Sequence, residues 1–377
     1  MVKNSSTKNT PGNTPGNTPG KTIGVLTSGG DCAGLNAVIR AVTHRAIQGY
    51  GWRVLGIHDG TRGLMDSPPR YEELTLKLFT GNVLRMGGTI LGTTNKGDPF
   101  DFPMPDGTRK NRAKEFAAGF KELELDGLIG IGGDGSLDIL NRLTKLGGIN
   151  FIGVPKTIDN DVPLTEFAVG FSTAVSTAVE ALDRLQPTAA SHERVMILEV
   201  MGRDAGHIAL NAGIGGGADV ILIPEIPYRL EPIANKIKAL HEQGRDHALI
   251  VCSEAARPAD GEAVMAEHSD GQKRYGGIGH QLGEQINVAT GTETRVTILG
   301  HVQRGGIPNS HDRIIASAFG VRAVDLLASG ENGRMVAWQH RQVVDLPLEE
   351  VTSRTREVDI TDTLVQTARG LGISLGN

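Results

Sequence analysis

Residues 155–161 read Pro-Lys-Thr-Ile-Asp-Asn-Asp and follow the apolar run Phe151-Ile152-Gly153-Val154. In an extended segment alternate residues share a face, so Thr157, Asp159 and Asp161 are expected to point the same way. Two carboxylates beside a hydroxyl suit removal of a proton from an attacking alcohol. Asp159 would accept the proton, while Asp161 orients it or assists a metal. The competing reading is an Asx-type turn, in which Asp159 and Asn160 bond local backbone.

A second cluster, Gly130-Ile131-Gly132-Gly133-Asp134-Gly135-Ser136, closes another apolar run. It matches the G-x-G-x-x-G dinucleotide pattern, yet a carboxylate inside the loop would repel a bare pyrophosphate. An aspartate among glycines suits a phosphate that arrives with Mg2+, with Asp134 on the ion. The glycines admit close backbone approach, and Ser136 is placed to cap a helix whose N-terminus favours anions. A tight strand-to-helix turn with a capping serine remains the alternative. Ser28-Gly29-Gly30-Asp31 repeats the logic, with Gly29 and Gly30 offering backbone N–H groups to a phosphate and Asp31 placed to cap a helix.

Cations border other apolar runs. Arg194 and Arg295 begin two of them, while Met201-Gly202-Arg203 and His301-Val302-Gln303-Arg304 follow two. Arginine grips a phosphate bidentately and stabilises charge on a transferring phosphoryl group. Glu254, after Val251-Cys252-Ser253, is an acceptor suited to sugar hydroxyls or to capping. Together these residues describe phosphoryl transfer to an alcohol, with arginines holding a phosphorylated acceptor. They do not name it.

The elements that must position them alternate in type. Apolar runs at 22–27, 54–57, 127–131, 151–154, 195–200, 219–223, 248–252 and 295–299 read as strands, with helical spacing over 33–48 and 137–146. Such alternation predicts an α/β fold of two Rossmann-like lobes, with mainly parallel sheets and a cleft between them. Ligands bind at the carboxyl ends of such strands, which is where the polar glycine clusters fall.

Composition narrows the class. The chain has 377 residues, 39% hydrophobic and 21% charged, as expected of a globular protein with room for two domains. A net charge of −5 and 4% aromatics argue against a nucleic-acid partner. No apolar stretch approaches the roughly 18 residues of a membrane span. Two cysteines, Cys32 and Cys252, without metal spacing suggest a reduced, cytoplasmic setting. Asn-Thr-Pro-Gly occurs three times over 9–20, so 1–20 is expected to be a disordered tail. Its Pro-Gly-Lys-Thr lacks the spacing of a P-loop.

Taken in order, GVLTSGGD (24–31), GIGGDGS (130–136), PKTIDND (155–161), EVMGRDAGH (199–207), PE (224–225), SE (253–254) and GHVQRGG (300–306) resemble the 6-phosphofructokinase family. The likeness spans about 21–340. It implies a larger donor lobe at 21–171, completed by about 305–355. A fructose 6-phosphate lobe would occupy 172–304, completed by about 356–377. It implies ATP and Mg2+ at Gly30, Asn95, Lys96, Gly133, Asp134, Gly135 and Ser136, with Asp134 as metal ligand. Asp159 would be the base for the 1-hydroxyl, with Thr157 and Arg203 also catalytic. Asp161, Met201, Gly202 and Glu254 would line the sugar site. His301 and Arg304 would hold the 6-phosphate, and Arg194 and Arg295 would come from a neighbouring subunit of a homo-oligomer.

Donor choice is marked at two positions. ATP users of the family typically carry GGDG and PGTIDND, and pyrophosphate users GGDD and PKTIDND; this chain has Gly135 and Lys156. Exclusion discriminates more strongly than a missing contact, which favours ATP, with pyrophosphate as the alternative. A catalytically silent sugar-phosphate or nucleotide sensor would normally lose the base, yet Asp159 is present. His44, Gln186 and Asp246 stand where allosteric members have basic residues, although Arg40 is retained. That pattern implies weak control by ADP or phosphoenolpyruvate.

Overall fold

The computed structural model describes residues 20–267, 273–351 and 355–377. Nearly all of the repeated tail lies outside the described residues.

The larger of two main sheets has eight strands. Its order is Gln342–Pro347, Arg334–Gln339, Phe151–Thr157, Gly127–Gly132, Thr22–Thr27, Arg53–Ile57 and Tyr71–Glu73. Val169–Gly170 pairs with the end of Phe151–Thr157. Interior pairings are parallel and both edges antiparallel. The smaller sheet runs Val220–Leu222, Ala248–Ser253, Val195–Val200 and Thr294–Ile298, all parallel. The α/β expectation with mainly parallel sheets is met.

Parallel strands covered on both faces read as unbroken apolar runs, and Gly127–Gly132 is buried at every position. Successive residues Val25 and Leu26 fall in different apolar clusters, on opposite faces of their strand. Helix Leu35–His44 crosses helix Ser310–Ala328 closely at Gly320. A Cβ there would lie 2.7 Å from Ala41 Cβ and 2.9 Å from the Val38 carbonyl. Any larger residue at 320 would push apart two helices that cover one face of the larger sheet.

The strand order reverses at Thr22–Thr27, with Arg53–Ile57 on one side and Gly127–Gly132 on the other. Chains leaving adjacent strands in opposite directions leave a crevice beyond their carboxyl ends.

Three expectations change. The strand expected at 151–154 continues to Thr157, because Val169–Gly170 pairs with Lys156 and Thr157 and keeps them extended. The helix expected over 33–48 starts at Leu35, after Gly34 at φ 107, and ends in a π-helical turn, Arg45–Gly49. The helix expected at 137–146 spans Asp134–Gly147 with Gly133 at its N-cap and no side-chain cap. Ser136 is therefore inside the helix rather than capping it.

Candidate active site

The crevice holds a cavity of about 390 Å³ lined by residues 28–31, by 133–136, by Asn95, and by Lys156, Thr157 and Asp159. Arg203, His301 and Arg304 close its other wall. Two glycine loops, two strand ends and the cationic motif thus meet as expected.

The first glycine loop packs closely against side chains from other elements. A Cβ at Gly30 would lie 2.7 Å from Arg304 Nη1, and one at Gly29 (φ 86) 2.7 Å from Ser136 Oγ. At Gly135 a Cβ would meet no described residue within 4 Å, so an added side chain would project into open cavity. Lys156 is 4% exposed and donates from Nζ to the Gly30 carbonyl. Burial is the main force lowering its pKa. The lysine therefore supports the first glycine loop from beneath, a role its position in the motif did not reveal.

Asp159 is 2% exposed. Its Oδ2 accepts from Thr157 Oγ1 at 3.3 Å, and Thr157 Oγ1 accepts from the Asp159 N–H at 3.0 Å. Among the described residues, Asp159 Oδ1 is buried with no hydrogen-bond partner. Burial raises this carboxyl's pKa, opposed chiefly by the Arg203 and Arg304 charges. Arg203 Nε lies 3.7 Å from Oδ2. The group is a buried carboxylate with one free oxygen and a cation at hand, as proton transfer in a dry site requires.

Asn160 breaks the extended run at φ 55. Its side chain accepts from the Ala168 N–H and donates to the Glu166 carbonyl. The turn reading thus describes Asn160, while Asp159 keeps its oxygen free. This turn interrupts the alternation on which the expected shared face of Thr157, Asp159 and Asp161 rests. Thr157 and Asp159 line the cavity, and Asp161 does not. Asp161 is 4% exposed, its Oδ1 has no partner among the described residues, and its pKa is pushed up to about 6. Burial is the main cause, followed by repulsion from Asp159 and Asp134.

The Met201-Gly202-Arg203 loop is held from two directions. Glu254 Oε1 accepts from the Gly202 and Arg203 N–H groups at 3.3 and 3.1 Å. Gln303 Oε1 accepts from the Met201 N–H at 2.7 Å. Gln303 is 1% exposed, and its role was invisible in sequence because its partner lies 102 residues away. Arg304 Nη1 donates to the Asp31 carbonyl at 3.2 Å.

Met201, Gly202, Glu254 and Lys96 do not line this cavity. Arg194 and Arg295 are also outside it, and both pair with Glu293. Arg40 and His44 line a separate cavity of about 330 Å³, where burial and the Arg40 charge lower the His44 pKa. Gln186 and Asp246 are exposed.

Among the described residues no group of three or more His, Cys, Asp or Glu is placed to hold a metal. Mg2+ is commonly held by one or two carboxylates plus phosphate oxygens, so Asp134 at the cavity wall fits an ion that arrives with its phosphate. No helix of the described residues is long and apolar enough to cross a membrane.

Comparison with known proteins decides the family. Residues 22–327 match the phosphofructokinase family. The chain belongs to that family. An ATP-dependent 6-phosphofructokinase 1 of a Nostoc species is 60% identical over 354 residues, covering 94% of this chain and 98% of that one. Another, from a Synechocystis species, is 58% identical with the same coverage. Phosphofructokinase of Pichia pastoris in the T-state superposes with a TM-score of 0.77 at 28% identity, covering 90% of this chain and 36% of that chain. A pyrophosphate-dependent phosphofructokinase from Nitrosospira multiformis superposes equally well, at 0.77, with 94% and 92% coverage. At 21% identity its likeness is one of fold alone.

Proposed function

We propose that this phosphofructokinase uses ATP, transferring its γ-phosphoryl group to the 1-hydroxyl of fructose 6-phosphate. The observation that carries this reading is Asp159, buried at the cavity wall with a free oxygen and facing the glycine loops. Asp159 takes the hydroxyl proton, and Thr157 fixes the orientation of its carboxylate. Arg203 neutralises charge that develops on the transferring group. Asp134 would hold Mg2+, which supplies charge neutralisation on the donor phosphates. Arg304 holds the Asp31 carbonyl with one nitrogen and keeps the rest of its fork, with His301, for the sugar phosphate.

The open space at Gly135 supports a nucleotide donor, since an aspartate there would fill the path of the α-phosphate. The two relatives described above carry ATP in their names. Lys156 is the feature that favours pyrophosphate, but its ammonium is engaged by the Gly30 carbonyl. A coupled assay with Mg2+, fructose 6-phosphate and either donor tests the point. ATP is expected to win by about 100-fold or more in kcat/KM. Preference for pyrophosphate would overturn the donor assignment. Gly135→Asp is expected to abolish ATP use while the protein stays folded.

In this reading 21–171 with 305–355 binds the donor, and 172–304 with 356–377 the sugar. Glu254, Met201, Gly202 and Asp161 shape the sugar pocket, and Asn95 and Lys96 flank the nucleotide. Arg194 and Arg295 serve the site of a neighbouring subunit in a cytoplasmic homo-oligomer. Sedimentation of a monomer active at nanomolar concentration would refute that sharing. A sigmoidal fructose 6-phosphate curve relieved by ADP would refute weak effector control.

A further inference from the structure

We propose that Arg356 is a positioning residue for phosphoryl transfer: it fixes the loop carrying Asp159 and Asp161 and ties it to the loop carrying Arg203. The inference rests on the function proposed above.

The stretch 159–166 contains two non-glycine residues in left-handed backbone, Asn160 at φ 55 and Leu164 at φ 62. Such residues crowd their Cβ against the backbone and persist where the surroundings over-determine them. One flank is secured by the strand Arg334–Gln339. Gln339 Nε2 donates to the Leu164 carbonyl at 2.8 Å, and the Glu166 N–H to the Trp338 carbonyl at 2.9 Å.

Arg356 secures the other flank. Its Nε donates to the Asn160 carbonyl at 3.1 Å, and its backbone N–H to the Asp161 carbonyl at 2.7 Å. Its Nη1 and Nη2 reach the Thr165 and Glu166 carbonyls at 2.6 and 3.4 Å. Among the described hydrogen bonds, Arg356 supplies those received by the Asn160 and Asp161 carbonyls.

The same segment grips the smaller sheet's side. The Arg356 carbonyl lies 3.1 Å from His207 Nε2. Val358 N–H donates to Glu225 Oε1 at 2.7 Å, and the Gly206 N–H donates to the same oxygen at 2.9 Å. Gly206 and His207 begin the helix His207–Gly215, directly after the loop of Arg203. One short strap therefore bonds both walls of the reaction cavity, and Asp159 and Arg203 stand 3.7 Å apart across it.

Only a planar fork reaches several carbonyls that point in different directions; an ammonium concentrates its donors at one point. Displacement of a reacting group by about 1 Å can cost about 100-fold in rate. Arg356 does not line the reaction cavity, so its loss should fall on kcat.

The test compares wild type, Arg356→Lys and Arg356→Ala by steady-state kinetics with ATP and fructose 6-phosphate, beside thermal melts. Arg356→Lys is expected to stay folded and lose about tenfold in kcat, with KM for the sugar within about threefold. Arg356→Ala should lose about 100-fold, and millimolar guanidinium, unlike equal sodium chloride, should restore part of it. A kcat within twofold of wild type in Arg356→Lys would overturn the inference. So would unfolding of both variants, or equal losses in kcat and sugar affinity without guanidinium rescue. Absence of turnover in wild type would instead overturn the functional reading beneath it.

Discussion

Loops 157–161 and 201–203 both leave parallel strands, and both contain a left-handed residue that is not glycine, Asn160 at φ 55 and Arg203 at φ 50. Their surroundings are opposite. Asp159 is almost fully buried, while the Arg203 side chain is 58% exposed. The first loop keeps its carboxylates from water, which raises their proton affinity and leaves oxygens unpaired. The second has its backbone fixed by Glu254 and Gln303 and leaves its guanidinium in solvent. Solvent screens the Arg203–Asp159 pair, so it adds little to stability and leaves the arginine available to a phosphoryl group. Burial thus falls on the proposed proton acceptor and exposure on the cation proposed to meet the phosphoryl group.

Replacing the proposed base should have the largest effect. Asp159→Asn is expected to lower kcat by about 1,000-fold or more, with sugar KM changed only a few-fold. Comparable turnover would remove the distinction between the loops. Arg203→Ala should cost about 100- to 1,000-fold in kcat while the melting temperature stays near wild type. A large drop in melting temperature would mean that the exposed cation is structural after all.

Asp161→Asn sharpens the buried side. The carboxyl pKa rises from 3.8 to about 6 on folding, so the folded state holds more protons within that window. Stability should therefore fall as pH rises through it, and removing the charge should raise the melting temperature above pH 6. An unchanged melt at pH 7.5 would contradict the cost assigned to that buried charge. His207 acts with the opposite sign. Burial lowers its pKa from 6.5 to about 4, so stability should decline as pH falls from 6.5 toward 4. His207→Gln should flatten that decline by a small but measurable amount in acid melts.

Much of this site was legible because it is local. The glycines, Asp134 and Asp159 lie within a few residues of strand ends, and strand, loop and helix follow one another in order. Motif spacing therefore marks these cavity walls without reference to packing. The place of Asp161 is not legible from alternation, which holds only while the chain stays extended, and Asn160 turns it. Ser136 was misread because the helix begins two residues before it.

The sequence by itself determined which elements form, where the glycine loops fall and which residues could carry charge, since these depend on neighbours a few positions away. Tertiary structure alone decided that Lys156 supports Gly30, that Gln303 holds Met201 and that Arg356 joins both walls, across 126, 102 and up to 196 residues. Such pairings are set by strand order and by which polar groups remain unsatisfied once the sheets close, and neither is written in local spacing.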